Sequence, residues 1–563
     1  MAIISNPTLF FPTSPRSPLK MRPEMKLLVE KFKGRRWERN RALQKEFAKE
    51  LSSSEDFKGT ASESDPDFSA RDRITRGPKS LGLVTLDVIG FTEPGLNFYD
   101  EDLATETFLR QLMKFQLPSP FHVIGQNVKK TFCVRPYLEI LRLIHRLGRL
   151  AFDELMLFGM QLTDYRDFEC VVEDIRKFRI AKEQRKGAYK KFFAETRVAV
   201  VKSVFSREIS EGRIKTRESD EASLDKFIQT KSGTMRDYAD ACVRYIHASG
   251  LVTVSSPGRT LSLIESKRAE AEYLLATVDR NPVFVDDYSG YRKHLYNPST
   301  PLLLTDDRAS LVDKAVKCNA VKSKSEAASL TIKDLKKRIR VAEDHLREAV
   351  VMSQATELKS FSKYDDVVEV FRQVQRRDER DRPLMFEWNA WRTMTMMDGG
   401  SIRANLTFDD AGNPLSTAPG NNADIVCDYG DFVVTVEVTL MSGNKQYDAE
   451  GEPVARHLGD IKAKTGKPAY CLFVAPTINE NVIAHFFVLH KVKAKSYGGK
   501  SVVIPLTLDR FVGMLTQSKN CGYVPSPDKV RSFCEYSMMT ANATDDAETW
   551  YSAISKKADD WLN

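Results

Sequence analysis

Two acidic residues lie where an acid is costly to keep. In the stretch 422–457, NADIVCDYGDFVVTVEVTLMSGNKQYDAEGEPVARH, Asp424 stands just before Ile425-Val426-Cys427, and Glu437 stands between Val436 and Val438. A carboxylate inside a run of valines must meet a positive charge to remain ionised, and a divalent cation is a strong candidate. Residues 423–427 read as a strand, 428–431 as a tight polar turn and 432–440 as a second strand, which together predict a hairpin. On adjoining strands the two side chains can meet at one point. Two hard oxygens and a backbone carbonyl are what Mg²⁺ accepts, with waters and a phosphate completing its octahedron. The plainer alternative has Asp424 capping a strand and Glu437 paired with Lys445 or Arg456, because structural ion pairs also produce buried acids.

The surrounding elements favour the metal site. Upstream, Glu387 falls in MFEWNAWR, on the apolar side of a predicted helix beside Trp388 and Trp391. Downstream, Glu450, Glu452, Arg456 and His457 fall in a short predicted helix, followed by the apolar strand 470–475. Helix with acid, strand with acid, strand with acid, helix with base, strand is the order of a nuclease core. A helix over 479–487, a strand over 501–506 and a helix over 508–515 complete a mixed sheet with helices on its faces.

The length of 563 residues predicts several domains, and a 42% hydrophobic content predicts globular ones. Charge is uneven along the chain. Residues 381–563 hold 18 Lys and Arg against 22 Asp and Glu, so the overall charge of +8 comes from a strongly basic front. A basic front and an acidic back predict a polyanion-binding part joined to a carboxylate-bearing part. The eight cysteines show no CxxC pair and no zinc spacing, which fits a reducing compartment. The N-terminus is too rich in proline for a secretory signal, and no apolar run reaches membrane-spanning length. A soluble cytoplasmic protein without membrane contact is expected.

In the basic front, SPRSP holds Arg16 between prolines, a rigid presentation of a guanidinium to a phosphate or to the protein surface. Helices are predicted around residues 24–32 and 42–51. The segment ARDRITRGPKSLGLVT carries Arg71, Arg73, Arg76 and Lys79 just before a short strand and a ribbon, the order of a winged helix. The same construction recurs where a helix over 235–248, bearing Arg236, leads through Gly250-Leu251-Val252-Thr253 to a hairpin closing at 261–263; GLVT occurs in both places. Between them, residues 135–159 read as two helices broken at Gly148, either a helix-turn-helix or a plain helical hairpin. The basic run in 172–218, with Tyr189, Phe192 and Phe193 interleaved, is either a DNA-backbone face or a solvated helix face. Residues 310–380 turn to long charged helices with a stripe at Leu335, Ile339, Ala342 and Leu346. The domain division expected is 1–130 and 131–300 as winged-helix-like subdomains, 301–380 as a helical linker and 381–563 as the catalytic domain.

With SPRSP, ARDRITRGPKSLG, FEWNAW, APGNNADIVCDYGDFVVTVEVT, AEGEPVARH and YCLFVAP, the sequence resembles the AlwI-type restriction endonucleases, Type IIS enzymes that include strand-specific nicking members. The resemblance implies a multidomain α+β protein of a prokaryotic cell. Its N-terminal DNA-recognition subdomains would be winged-helix-like, and its C-terminal α/β core would be of the restriction-endonuclease-like PD-(D/E)XK type. It also implies Mg²⁺-dependent cleavage of double-stranded DNA a few base pairs to one side of a short asymmetric site. Carried over by position, Asp424 and Glu437 are the motif acids, Glu387 the acid of the first core helix, and Glu450 and His457 further active-site positions. Asp424, Glu437 and the Val438 carbonyl are expected to bind the metal, with Glu387 holding a second metal or an ordered water. Thr439 stands where the motif has lysine, leaving His457 or Lys445 to supply its charge. One such site cuts one strand, so a double-strand break calls for a transient homodimer on DNA. The competing functions are a nicking enzyme, a DNA-binding regulator with an inactive core, and a structure-guided repair nuclease. Arg16, Arg71, Arg73, Arg76, Lys79 and Arg236 are the candidate DNA contacts.

Overall fold

Val433, Val434, Thr435, Val436 and Val438 are β-branched residues that suit a pleated strand, and they build the central strand of a five-stranded sheet. The structure, a computed structural model, describes all residues except 1, 16, 55–65, 101, 217–220, 256–258, 377–381, 398–399, 418–421 and 523. Mixed helix and sheet, 60% of it helical, the chain divides into two units, Met1–Asp344 and His345–Asn563.

The C-terminal unit runs through α1 (Arg382–Met397), β1 (Ser401–Ala404), β2 (Ile425–Asp428), β3 (Val433–Val438), α2 (Asn444–Thr465), β4 (Ala469–Ala475), α3 (Glu480–Lys491), β5 (Val503–Thr507) and α4 (Leu508–Asn520). The sheet order is β5-β4-β3-β2-β1. The pairs β1–β2 and β2–β3 are antiparallel, and β3–β4 and β4–β5 parallel. Two successive crossovers moving the same way along a sheet put both connecting helices on one face, because such crossovers are right-handed. So α2 and α3 share a face, while α1 packs with α4 and against β2 and β3. The core between these layers includes Val434, Val436, Leu472, Val474, Trp391 and Phe511.

Local expectations meet the structure closely here, with shifts at the ends. The hairpin turn closes as predicted, with Asp428 Oδ1 accepting the Gly430 N–H at 2.9 Å and Gly430 at φ +94. The helix carrying Glu450 and His457 is 22 residues long and runs through Gly451 and Pro453, where a short helix was expected. Proline removes one backbone bond. The burial of Val454, Ala455 and Leu458 outweighs that loss.

In the N-terminal unit the expected helices appear at Met21–Phe32, Arg41–Ser52, Pro136–Leu147 and Phe152–Leu157, with Gly148 at φ +74 ending the third. The helix predicted over 235–248 starts earlier, spanning Leu224–His247 with Ser223 as its N-cap. It leads to the hairpin Val252–Ser255 and Thr260–Leu263, joined by Leu150–Ala151 into a three-stranded sheet. After the Arg71–Lys79 segment, the ribbon is only Val84–Thr85 paired with Gly90–Phe91. The residues read as a linker are shared out. Leu311, Ala315, Leu335 and Ile339 form a small cluster, whereas Val367, Val370 and Phe371 join the C-terminal core. Leu346, counted in the apolar stripe, is 51% exposed. Among the described residues no helix is long and apolar enough to cross a membrane.

Candidate active site

In the hairpin, Ile425 pairs with Val436 and Cys427 with Val434. One step further along this ladder, Asp424 stands opposite Glu437. Directly opposed residues on antiparallel strands project to the same face. Both side chains are buried, at 9% and 6% exposure. Asp424 Oδ2 accepts the backbone N–H of Val438 at 2.9 Å, which fixes the carboxylate at the strand end. Cys471 on β4 feels both acids: burial pushes its thiol pKa up, and the charges of Glu437 and Asp424 push it the same way.

Helix α2 completes the arrangement. His457 Nδ1 donates to Glu437 Oε1 at 2.9 Å, so the buried acid meets a histidine, and neither Lys445 nor Arg456 is its counterpart in that bond. Lys445 is exposed, and Arg456 lies 3.4 Å from Glu452. Glu450 is half-buried seven residues before His457, two turns away on the same side of the helix. The start of α2 is set by Gly443, whose φ of 62° and ψ of −155° suit glycine alone. It is then locked by Gln446, a buried residue with no sequence signal. The Gln446 side-chain amide donates to the Met441 and Thr477 carbonyls at 3.0 and 2.9 Å and accepts from the Asn479 N–H at 2.8 Å. Thr439, at the motif-lysine position, spends its hydroxyl on the Met441 N–H at 3.1 Å.

Glu387 comes from a different layer. It is 8% exposed on α1, a helix tied down by Asn389 donating to the Val367 carbonyl at 2.7 Å and by Trp391 donating to the Ile402 carbonyl at 3.2 Å. Among the described residues no three His, Cys, Asp or Glu side chains gather as a ready-made metal cluster. The donor set still fits Mg²⁺, which commonly takes one or two carboxylates and keeps several waters. Two opposed, buried carboxylates at a strand end are such a pair.

The candidate DNA contacts fall in the N-terminal unit. Arg71, Arg76 and Lys79 line a cleft of about 1270 Å³. Arg76 Nε lies 2.9 Å from Asp72 Oδ2 and its Nη1 donates to Thr13 at 2.9 Å; Lys79 Nζ lies 2.6 Å from Glu38. Arg73 is ion-paired with the buried Glu24. Arg236 is exposed on the Leu224–His247 helix. Arg16 lies outside the described residues. Arg213, Lys215 and Lys231 also line the cleft; none was singled out from sequence, although the first two fall within the basic run 172–218.

The sequence model of the AlwI restriction endonuclease family matches residues 97–514. Against curated proteins the chain has no significant match. Among solved structures, the small subunit of the heterodimeric restriction endonuclease R.BspD6I is similar at 30% identity, over 34% of this chain and 98% of that one, with a TM-score of 0.30. The BpuJ1 endonuclease binding domain, solved in complex with pyrene- and phenanthrene-modified DNA, is similar at 12% identity, over 49% of this chain and 91% of that one, with a TM-score of 0.33.

Proposed function

Because the chain belongs to the AlwI restriction endonuclease family, a family of site-specific DNA-cleaving enzymes, we propose that it is a Type IIS endonuclease. It binds a short asymmetric sequence in double-stranded DNA and hydrolyses phosphodiester bonds a few base pairs to one side, with Mg²⁺. Its basic front acts as winged-helix-like recognition subdomains over 1–130 and 131–300, followed by a helical linker over 301–380. Residues 381–563 act as a PD-(D/E)XK nuclease core.

The observation that carries this reading is the hairpin register that sets Asp424 opposite Glu437, with Asp424 held by the Val438 N–H. In this reading Asp424, Glu437 and the Val438 carbonyl hold Mg²⁺. Bound there, the ion supplies charge neutralisation at the phosphate and a more acidic water. His457 holds Glu437 by its 2.9 Å bond, so that the carboxylate keeps one orientation while charge builds on the phosphate. Glu450 and Glu387 orient the attacking water. Water adds to phosphorus, the bond to the 3′-oxygen breaks, and a proton passes to that oxygen. A double-strand break takes a second copy, assembled transiently on the DNA.

Supercoiled plasmid with and without Mg²⁺ tests the reading. Linear product with ends at a constant offset from one sequence is the expected result. Relaxed circles alone replace it with a strand-specific nicking enzyme. Ends without sequence preference point to a structure-guided nuclease, and an unchanged plasmid that is nevertheless bound points to a regulator.

A further inference from the structure

Among the described residues, the cleft in the N-terminal unit is lined by seven Lys and Arg side chains against three acids. What holds each cation separates them. Lys79 is bound to Glu38 at 2.6 Å and Arg76 to Asp72 at 2.9 Å. Lys231 donates to Asn6 at 2.6 Å and lies over the Phe205 and Phe227 rings. Arg39 and Lys215 line the same cleft, are exposed, and meet no acid among the described residues.

Arg39 has a second peculiarity. Its φ is +59, the left-handed region where a Cβ crowds the following carbonyl. The turn is pinned on both sides. The Asn40 N–H donates to the Trp37 carbonyl at 3.2 Å, the Gln44 amide donates to that same carbonyl at 3.0 Å, and Asn40 Oδ1 caps the next helix by accepting the Leu43 N–H at 3.1 Å. Glycine would relax this backbone, yet the position carries a long cation facing a basic cleft. Strained non-glycine residues persist where their surroundings over-determine them, and ligand clamps are common among such places.

We propose that Arg39 and Lys215 each take a DNA backbone phosphate at this cleft, and that they set how tightly DNA is held and not which sequence is chosen. The proposal rests on reading the chain as a DNA-cleaving enzyme. An exposed cation with no internal partner gives up nothing when a phosphate arrives, whereas a cation already bound to an acid has part of its field cancelled and its direction fixed. Arginine offers a planar fork and lysine a mobile point charge, and both suit phosphate oxygens. Contacts of this kind carry no base information.

The test is equilibrium binding of the full-length protein, in EDTA, to a fluorescent random-sequence duplex and to one carrying the mapped cleavage site, between about 50 and 200 mM salt. Arg39→Gly and Lys215→Ala are each expected to reduce the slope of log K against log[salt] by about 0.9, and to weaken both duplexes about threefold at the low-salt end. Their preference for the cleavage-site duplex should stay at the wild-type value. Arg39→Gly suits the local backbone, so its melting temperature should equal or exceed that of the wild type, and Arg39→Lys should retain the wild-type slope. An unchanged slope in Arg39→Gly and Lys215→Ala overturns the proposal while leaving the enzyme reading intact, as does an altered sequence preference with the slope preserved. A wild type that binds neither duplex overturns both.

Discussion

Glu437 and Lys79 each have a counter-group within 3 Å, yet the two regions use charge in different ways. Glu437 is on the central strand of a sheet, 6% exposed, 2.9 Å from His457. Lys79 is on the wall of an open cleft, with Glu38 at 2.6 Å and that acid's side chain 39% exposed. In the first region a few charges are buried and held by specific groups, Glu437 by His457 and Asp424 by the Val438 N–H. In the second, many cations from several segments share a solvated surface. Buried charges are costly to leave unmatched and therefore hold geometry, whereas exposed pairs contribute little each and act by their sum. The acids should thus govern rate, all or none, and the cations should govern affinity by degrees.

The largest effect expected is on rate. Asp424→Ala or Glu437→Ala should lower plasmid cleavage by at least about a thousandfold, with duplex binding in EDTA unchanged. A parallel loss of binding would erase the distinction between the two regions.

Second comes the acid limb of stability, which sharpens what burial does to a histidine with no carboxylate beside it. His490 is fully buried, with Nδ1 donating to the Phe486 carbonyl at 2.8 Å and Ser537 at 3.3 Å from Nε2. Burial pushes its pKa down from 6.5 to about 4, against the pull of the Phe486 carbonyl. The unfolded chain then binds this proton first, so the contribution is whole above 6.5 and is lost as pH falls from 6.5 to about 4. The loss should approach about 3 kcal/mol. Denaturation curves against pH should show it, and His490→Gln should flatten them over that interval.

Third, His457→Ala takes the Nδ1–H from Glu437. Cleavage should fall about ten- to a hundredfold, as for other positioning partners, and stability by about 1–3 kcal/mol. His457→Asn should recover part of the rate. A variant with full activity would show that the buried acid needs no such partner.

The smallest effect belongs to the cleft. Lys79→Ala removes an ion pair that is partly exposed, so stability should change by less than about 1 kcal/mol. Random-duplex affinity should fall by less than about threefold at low salt, because Glu38 already cancels part of this charge, and the cleavage rate at saturating DNA should hold. A collapse in rate at saturation would mean that the cleft does more than hold DNA.

Much of the C-terminal unit was legible in the chain. The alternation around Asp424 and Glu437, the Asp-Tyr-Gly-Asp turn and the valine-rich strand specify a hairpin, because residue type and a turn of set length determine the register of two adjacent strands. The resemblance in FEWNAW and AEGEPVARH marks Glu387, Glu450 and His457 as candidates. The front half was less legible. Its helices and ribbons were placed, but Arg71, Arg73, Arg76 and Lys79 looked equivalent in sequence, and only their surroundings separate Arg73, bound to buried Glu24, from the three that line the cleft.

The sequence by itself determined the local pairing: which two acids oppose each other, where the turn falls and which family the chain belongs to. The pairing and the turn rest on neighbours a few residues apart, and the family on a match over residues 97–514. The tertiary structure alone decided that His457 is a donor to Glu437, that Gln446 locks the helix start to Asn479, and that Arg39 and Lys215 share a cleft, as the lining residues show. Such contacts join residues tens to hundreds of positions apart. They arise from how helices pack on a sheet or on one another, a choice made by burial of whole faces that no single residue announces.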